Sequence, residues 1–384
     1  MAAARWFKLQ TEIHFGSGAI RILPYKGRLC GKRALLVTGK QALSQNGILD
    51  EITDLLKVGG VKSIHFAEVE PEPSLATVEK GLAVARAERA DLVIGLGGGS
   101  VMDVAKVIAG LYHSQHDLKE YFDGLKLETP GIPLITIPTV AGSGAEVTVS
   151  ADLMDTDRRI KRSISSPYFA AQVAIVDPRF TVSTPPDVTA YSGFDALVHA
   201  IEALTSKGAG PLTDIYAYRA IEKIGSHICQ AVQDGSDLAA REAMAEGSLM
   251  AGVALTNARL GAVHGLANAI GARAGKPHGL VSAVLLVPVL RFNMAVSYER
   301  YAQMAKALGC RTDGMDPIDA AALGIKTIMI LQKKLGIPAT VRYFGLDESE
   351  YQQIATESIH TVSMKANPRD ATLEDIVNIL KERF

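Results

Sequence analysis

The feature that most restricts the fold is a change of texture at Pro185-Pro186. Before it, short β-rich runs alternate with helical stretches; after it come long Ala- and Leu-rich segments with few β-branched clusters. Arg33 to Thr38 is an apolar run ended by Gly39, and Ser63 to Phe66, Asp91 to Leu96, Pro133 to Ile137 and Val173 to Val176 are others. Helical periodicity occupies 43–58 and 75–87. Strand and helix alternating in this way predict a parallel sheet with covering helices. Segments 195–204, 212–232 and 239–255 read as helices. The expectation is an α/β N-terminal domain over 1–185 and an all-α C-terminal domain over 186–384.

Composition excludes several classes of function. The 384 residues carry 40 Lys and Arg against 41 Asp and Glu, a net charge of -1, so no basic surface for nucleic acid or anionic membrane is indicated. The three cysteines, Cys30, Cys229 and Cys310, lie far apart and form no C-x-x-C pair, which argues against a disulfide framework and a thiolate metal site. The longest apolar stretch, Leu280 to Leu290, is broken by Pro288 and falls short of the ~18 residues of a membrane span; it reads as core. Arg5 is followed by no sustained apolar segment, so no secretory signal is visible and the cytoplasm is expected.

Asp91 to Leu96 runs directly into Gly97-Gly98-Gly99-Ser100, and Val101 to Ile108 then has helical spacing. A glycine turn between strand and helix lets an anion approach backbone N–H groups at the positive end of the helix dipole. Ser100 followed by Asp103 has the form of a capping box. The same turn also fits a tight strand-to-helix connection with no ligand. A second loop of small residues and hydroxyls, Thr139-Val140-Ala141-Gly142-Ser143-Gly144, leaves the next strand end. Ligands of open α/β sheets bind outside the carboxyl ends of strands, so the two loops together suggest a dinucleotide site. The usual G-x-G-x-x-G after the first strand is missing.

In the helical half, Asp195 and His199 stand four apart within Phe194 to Ile201, on one helix face among apolar neighbours. A buried carboxylate must be paired or coordinate a metal; alone, the pair also fits a satisfied Asp-His hydrogen bond in the core. Two further histidines, in His264-Gly265-Leu266 and His278-Gly279-Leu280, share a similar local sequence. One carboxylate and three imidazoles suit a first-row divalent ion such as Fe(II) or Zn(II), and the absence of thiolate disfavours a structural zinc cage. The other six histidines read as ordinary surface or core residues, with His360 the one to follow.

These residues bring a family into view. The segments Ile13 to Gly18, Gly97 to Lys106, Gly193 to Glu202 and Asn367 to Thr372 resemble the iron-containing (group III) alcohol dehydrogenases over nearly the whole chain, with similarity to lactaldehyde reductase and propanediol dehydrogenase. The resemblance implies a dinucleotide-binding N-terminal domain and a helical C-terminal domain, in the architecture shared with dehydroquinate synthase. It implies a catalytic metal on Asp195, His199, His264 and His278, a pyrophosphate turn at Gly97, Gly98, Gly99 and Ser100 with Asp103, and a nicotinamide loop from Thr139 to Ser143, where Val140 replaces a usual Thr. Lys161 aligns with a lysine that contacts the cofactor. Where NAD-preferring members carry an Asp after the first strand, this chain has Gly39 followed by Lys40, which implies tolerance of NADP(H) or a preference for it over NAD(H). Where many members carry a second His four residues after the third ligand, Asn268 stands, and a neutral amide is no acid or base near pH 7. Leu255, Asn268, His360 and Ser363 align with pocket walls.

The implied reaction is hydride transfer between NAD(P) and a small alcohol or aldehyde, by a homo-oligomer. The rivals are a hydroxyacid-oxoacid transhydrogenase or glycerol-type polyol dehydrogenase on the same scaffold, a sugar-phosphate lyase, and a non-catalytic metal-binding protein. A lyase needs basic residues near the metal, and only Arg259 and Arg273 lie near His264 in sequence.

Overall fold

The computed structural model describes residues 6–40 and 47–382. They form two compact units, one over Leu9–Thr184 and one from Pro185 onwards that also takes in Phe7 and Lys8. In the second unit Phe7 stacks on Tyr216 with ring centroids 5.7 Å apart, and the Lys8 N–H donates to Asn257 Oδ1.

The first unit is built on a parallel sheet of β1 (Glu12–Phe15), β2 (Arg33–Gly39), β3 (Lys62–Val69), β4 (Leu92–Gly97), β5 (Leu134–Pro138) and β8 (Val173–Val176), in the order β1-β8-β5-β4-β2-β3. Helices α1 (Leu23–Cys30), α2 (Ile48–Val58), α3 (Leu75–Ala87), α4 (Gly99–Leu111) and α5 (Leu118–Phe122) connect and cover it. The helix expected over 43–58 is described from Ile48; 43–46 lie outside the described residues. The central strands are apolar at successive positions because both faces of the sheet are covered. Leu35, Val37 and Val93 join one core with α3 and α4, while Ala34, Leu36, Leu92 and Ile94 join another with α1 and α2. Gly95 brings α4 close to the sheet: a Cβ there would lie 2.9 Å from the Ala105 Cβ.

Two features depart from expectation. The Ser100-Asp103 capping box does not form: Gly98 occupies the N-cap, Ser100 sits inside the first turn, and Asp103 accepts the Asp152 N–H at 3.0 Å. Edge strand β1, half-exposed, and an antiparallel hairpin of β6 (Ser150–Asp155) and β7 (Ile160–Ser165) lack the continuous apolar runs that mark β2, β4, β5 and β8.

The second unit is all helical: α6 (Pro186–Thr205), α7 (Pro211–Gln233), α8 (Leu238–Ala258), α9 (Ala262–Ala274), α10 (His278–Ala307), α11 (Pro317–Lys334), α12 (Tyr351–Ser358), α13 (Val362–Ala366) and α14 (Leu373–Leu380). At its centre lies α6, buried from Gly193 to Thr205 and packed against α7, α8 and α10. The Leu280 to Leu290 run lies in α10. That helix is long and apolar enough to cross a membrane, but the run is buried throughout its length inside the unit. Pro288 interrupts the helical ladder within it, and nearby the buried Gln332 amide donates to the Ala283 carbonyl at 2.7 Å.

Candidate metal centre and cofactor turn

One candidate site lies in each unit. In the α/β unit the chain leaves β2 for β3 on one side, then returns to place β4 on the other, so strand order reverses between β2 and β4. Such a switch point opens a crevice at the carboxyl ends of the strands. Gly39 ends β2 and Gly97 ends β4, with Val37 paired to Gly95. On the other side of β4, Gly97 pairs with Pro138 of β5, and the Thr139 N–H donates to the Gly97 carbonyl at 2.9 Å. The loop from Thr139 to Ser143 therefore lies against the glycine turn. A Cβ on Gly98 would lie 3.5 Å from Val140 Cγ2, and one on Gly99 3.0 Å from Ser143 Oγ. The glycines admit the second loop.

Lys40 is exposed beyond Gly39. Lys161 lies on β7, where its ammonium pairs with Glu72; burial works against its charge, but Asp152 and Glu72 outweigh that and raise its pKa. Sequence reasoning gave no role to Lys106, which is fully buried on α4 and donates to Thr148 Oγ1 at 2.7 Å and the Ser150 carbonyl at 2.8 Å. It ties α4 to the chain leading into β6. A lysine within the apolar helix after the glycine turn was its visible signal.

In the helical unit, α6 carries Asp195 and His199 one turn apart, both buried. His264 lies in the first turn of α9 and His278 opens α10. The structure gathers Asp195, His199 and His264 so that one ligand atom from each lies within 4.8 Å of the others. The His199 and His264 rings stack with centroids 4.5 Å apart, and the His278 ring lies 5.4 Å from that of His264. His278 thus adjoins the cluster without belonging to that tight group. Gly279 allows the approach of α10 to α6, since a Cβ there would meet the Tyr191 carbonyl oxygen at 2.6 Å.

Asp195 Oδ1, His199 Nδ1 and His264 Nε2 are buried without a hydrogen-bond partner among the described residues. His264 Nε2 lies 3.6 Å from Asp195 Oδ1, beyond hydrogen-bonding distance. Several unpartnered atoms in one buried cluster are costly unless a ligand satisfies them. The carboxylate and imidazole donors fit a divalent first-row ion. Electrostatics agree. Burial disfavours the Asp195 carboxylate, but His199, His278 and His264 outweigh it and hold Asp195 well below the ordinary range. Burial lowers His199 to about 4, keeping its imidazole neutral and able to donate a lone pair. At His264 burial is outweighed by Asp195 and Glu202, which raise its pKa; carboxylates so placed also favour a cation.

Glu202 is the residue of this centre that sequence reasoning passed over. It is buried, and it accepts His264 Nδ1–H and the Val263 N–H, each at 2.7 Å. Its signal was its place seven residues after Asp195, on the same face of α6. Asn268, one turn beyond His264, has a buried Oδ1 without a partner among the described residues. Leu255 and Ser363 are half-buried and His360 is exposed.

The sequence pattern of the iron-containing alcohol dehydrogenases matches residues 10–178, and that of the C-terminal part of the Fe-containing alcohol dehydrogenase family matches 189–384. The chain is 37% identical to a 1,3-propanediol dehydrogenase of Citrobacter freundii over 372 residues, 96% of each chain. It is 35% identical to a lactaldehyde reductase of Escherichia coli (strain K12) over 378 residues, 97% of each chain. A crystal structure of a 1,3-propanediol oxidoreductase superposes with a TM-score of 0.95 at 36% identity, covering 100% of both chains. Relatives named as NAD-dependent and as NADPH-dependent both occur. The matched ranges take in both units, and the chain belongs to the iron-containing alcohol dehydrogenase family of oxidoreductases.

Proposed function

We propose that this chain interconverts a small alcohol and its carbonyl counterpart by hydride exchange with NAD(P)(H), using a divalent ion, Fe(II) or Zn(II), held by Asp195, His199, His264 and His278. The observation that carries this reading is the group of buried, unpartnered atoms on Asp195, His199 and His264. When bound, such an ion polarises the substrate oxygen as a Lewis acid. The remaining tasks fall to the chain.

Backbone N–H groups at Gly97 to Ser100 receive the cofactor pyrophosphate at the start of α4, while Thr139, Val140 and Ser143 border the nicotinamide, and Asp103 and Lys161 support the same site. Gly39 offers no carboxylate to repel a 2'-phosphate, and Lys40 follows it, which supports use of NADP(H) as well as NAD(H). Asn268 orients substrate or cofactor through its amide and carries no proton. The proton then leaves through ribose hydroxyls, water or a group such as His360. Arg273 donates two bonds to Glu357, at 2.8 and 2.7 Å, a commitment that disfavours a phosphate-binding lyase. The near-neutral charge supports a small-molecule substrate rather than nucleic acid, and the family resemblance supports a cytoplasmic homo-oligomer, which sedimentation tests.

The deciding experiment strips the protein of metal, reconstitutes it anaerobically with Fe(II) or Zn(II), and offers small alcohols and aldehydes with both cofactors. Metal-dependent turnover that releases reduced cofactor is expected. Turnover indifferent to metal, or none with any pair, defeats the reading; reduced cofactor that stays bound through turnover marks a transhydrogenase instead.

A further inference from the structure

The start of α9 carries His264 but has no cap of its own. Its N-cap is Gly261, and Ala262 and Val263 follow, so no local side chain receives the free N–H groups of the first turn. Two buried side chains from elsewhere receive two of them. Ala262 N–H donates to Asn367 Oδ1 at 3.1 Å, and Val263 N–H donates to Glu202 Oε1 at 2.7 Å. Asn367 is itself held by Asn293 in a reciprocal amide pair at 2.9 and 2.8 Å, and it donates to the Arg369 carbonyl at 2.7 Å. The turn closes tightly: a Cβ on Gly261 would lie 2.8 Å from Glu202 Oε1 and 3.0 Å from Asn367 Oδ1.

The second oxygen of Glu202 accepts from His264 Nδ1 at 2.7 Å. Both Glu202 oxygens are thus engaged as acceptors, Oε1 by the Val263 N–H and Oε2 by His264 Nδ1–H, and a carboxylate only accepts hydrogen bonds. The proton of a neutral His264 is therefore on Nδ1, and the lone pair is on Nε2, the buried atom beside Asp195. A hydrogen bond made by one imidazole nitrogen decides which state the other presents to a metal.

We propose that Glu202 is the positioning residue of the metal centre: it fixes His264 with Nδ1–H and Nε2 open, and with Asn367 it sets the start of α9. The inference rests on the metal site proposed above. Glu202→Gln keeps the shape but has one acceptor oxygen for two donors. If its NH2 group faces His264, Nδ1 must accept and the proton moves to Nε2, closing that atom to a metal.

The test measures Zn(II) affinity by chelator competition and the visible absorption of Co(II)-substituted protein, in the wild type and in Glu202→Gln. The expected result is a Zn(II) dissociation constant about 10- to 100-fold higher and shifted Co(II) bands, which a capping role alone does not produce. A measurement on the wild type does not depend on the variant folding: in Zn(II)-loaded protein labelled with 15N-histidine, His264 is expected to show a protonated Nδ1 and a coordinated Nε2. Coordination through Nδ1, or unchanged metal affinity and bands in Glu202→Gln, overturns the role of Glu202 and leaves the metal site standing. A wild type that binds neither Zn(II) nor Fe(II) overturns both.

Discussion

Gly39 closes β2 with space beside it among the described residues: a Cβ there would meet the Val69 carbonyl oxygen at 3.7 Å, an ordinary contact, and its backbone is not left-handed. Nothing among the described residues obstructs a side chain there, so the choice of cofactor is open to a single substitution. Gly39→Asp should raise the ratio of kcat/KM for NAD(H) over NADP(H) about tenfold or more, since ~1.4 kcal/mol of repulsion suffices. An unchanged ratio in steady-state kinetics would remove this position from cofactor selection. At Asn268 the expectation concerns binding. Asn268→Ala should raise KM several-fold with kcat nearly unchanged, and a large kcat loss at constant KM would mean that the amide supports the transition state. Asp195 and His199 stand out in the sequence because polar ligand types interrupt an apolar helix. Glu202 does not, because a glutamate near the end of a helix reads equally well as a solvated charge. What distinguishes it is the start of α9 folded over it, a contact between residues 61 apart in the chain.

Elements carry a different kind of constraint, visible where α10 begins. Gly279 lies against the Tyr191 backbone, which cannot rotate away as a side chain tip can. Gly279→Ala should therefore displace the first turn of α10, costing about 1–3 kcal/mol of stability as overpacking does, and should weaken metal binding because His278 moves with that turn. Denaturant unfolding of the metal-free protein and Zn(II) titration measure the two effects separately; wild-type values in both would show that α10 shifts without consequence. The same scale explains which elements were legible. Strands of the sheet interior are apolar at successive positions, so β2, β4, β5 and β8 declare themselves. In the hairpin β6 alternates instead, with Ala151, Leu153 and Asp155 buried and their neighbours half-buried, β7 buries only Ile164, and β1 is only half covered. The misread capping box has an equally local cause: Ser-x-x-Asp is a valid N-cap pattern, but Gly98 already starts the helix two residues earlier.

For the molecule as a whole, the division into two units predicts separable responses to ligands. A ligand stabilises the unit that binds it by mass action, so Zn(II) should raise the melting temperature of the helical unit and NADPH that of the α/β unit. His264→Ala should abolish the first effect and turnover, and leave cofactor affinity within a few-fold. Calorimetry with each ligand alone checks this, and full metal occupancy in the variant would strike His264 from the ligand set. A parallel sheet has a further consequence, one of time. No two of its neighbours can form a simple hairpin, and β1 pairs with β8, Glu12 opposite Val173. Beyond β8, Asp177 accepts the N–H groups of Gly18 and Ile20. At a synthesis rate of about 5–20 residues per second, β1 leaves the peptidyl-transferase centre roughly 8 to 32 seconds before the strand that will hold it exists. Lys8 waits longer, for Asn257, 249 residues away. The segment from Lys8 to Phe15 is translated early and acquires its partners late, and during that interval it is open to whatever else the nascent chain meets.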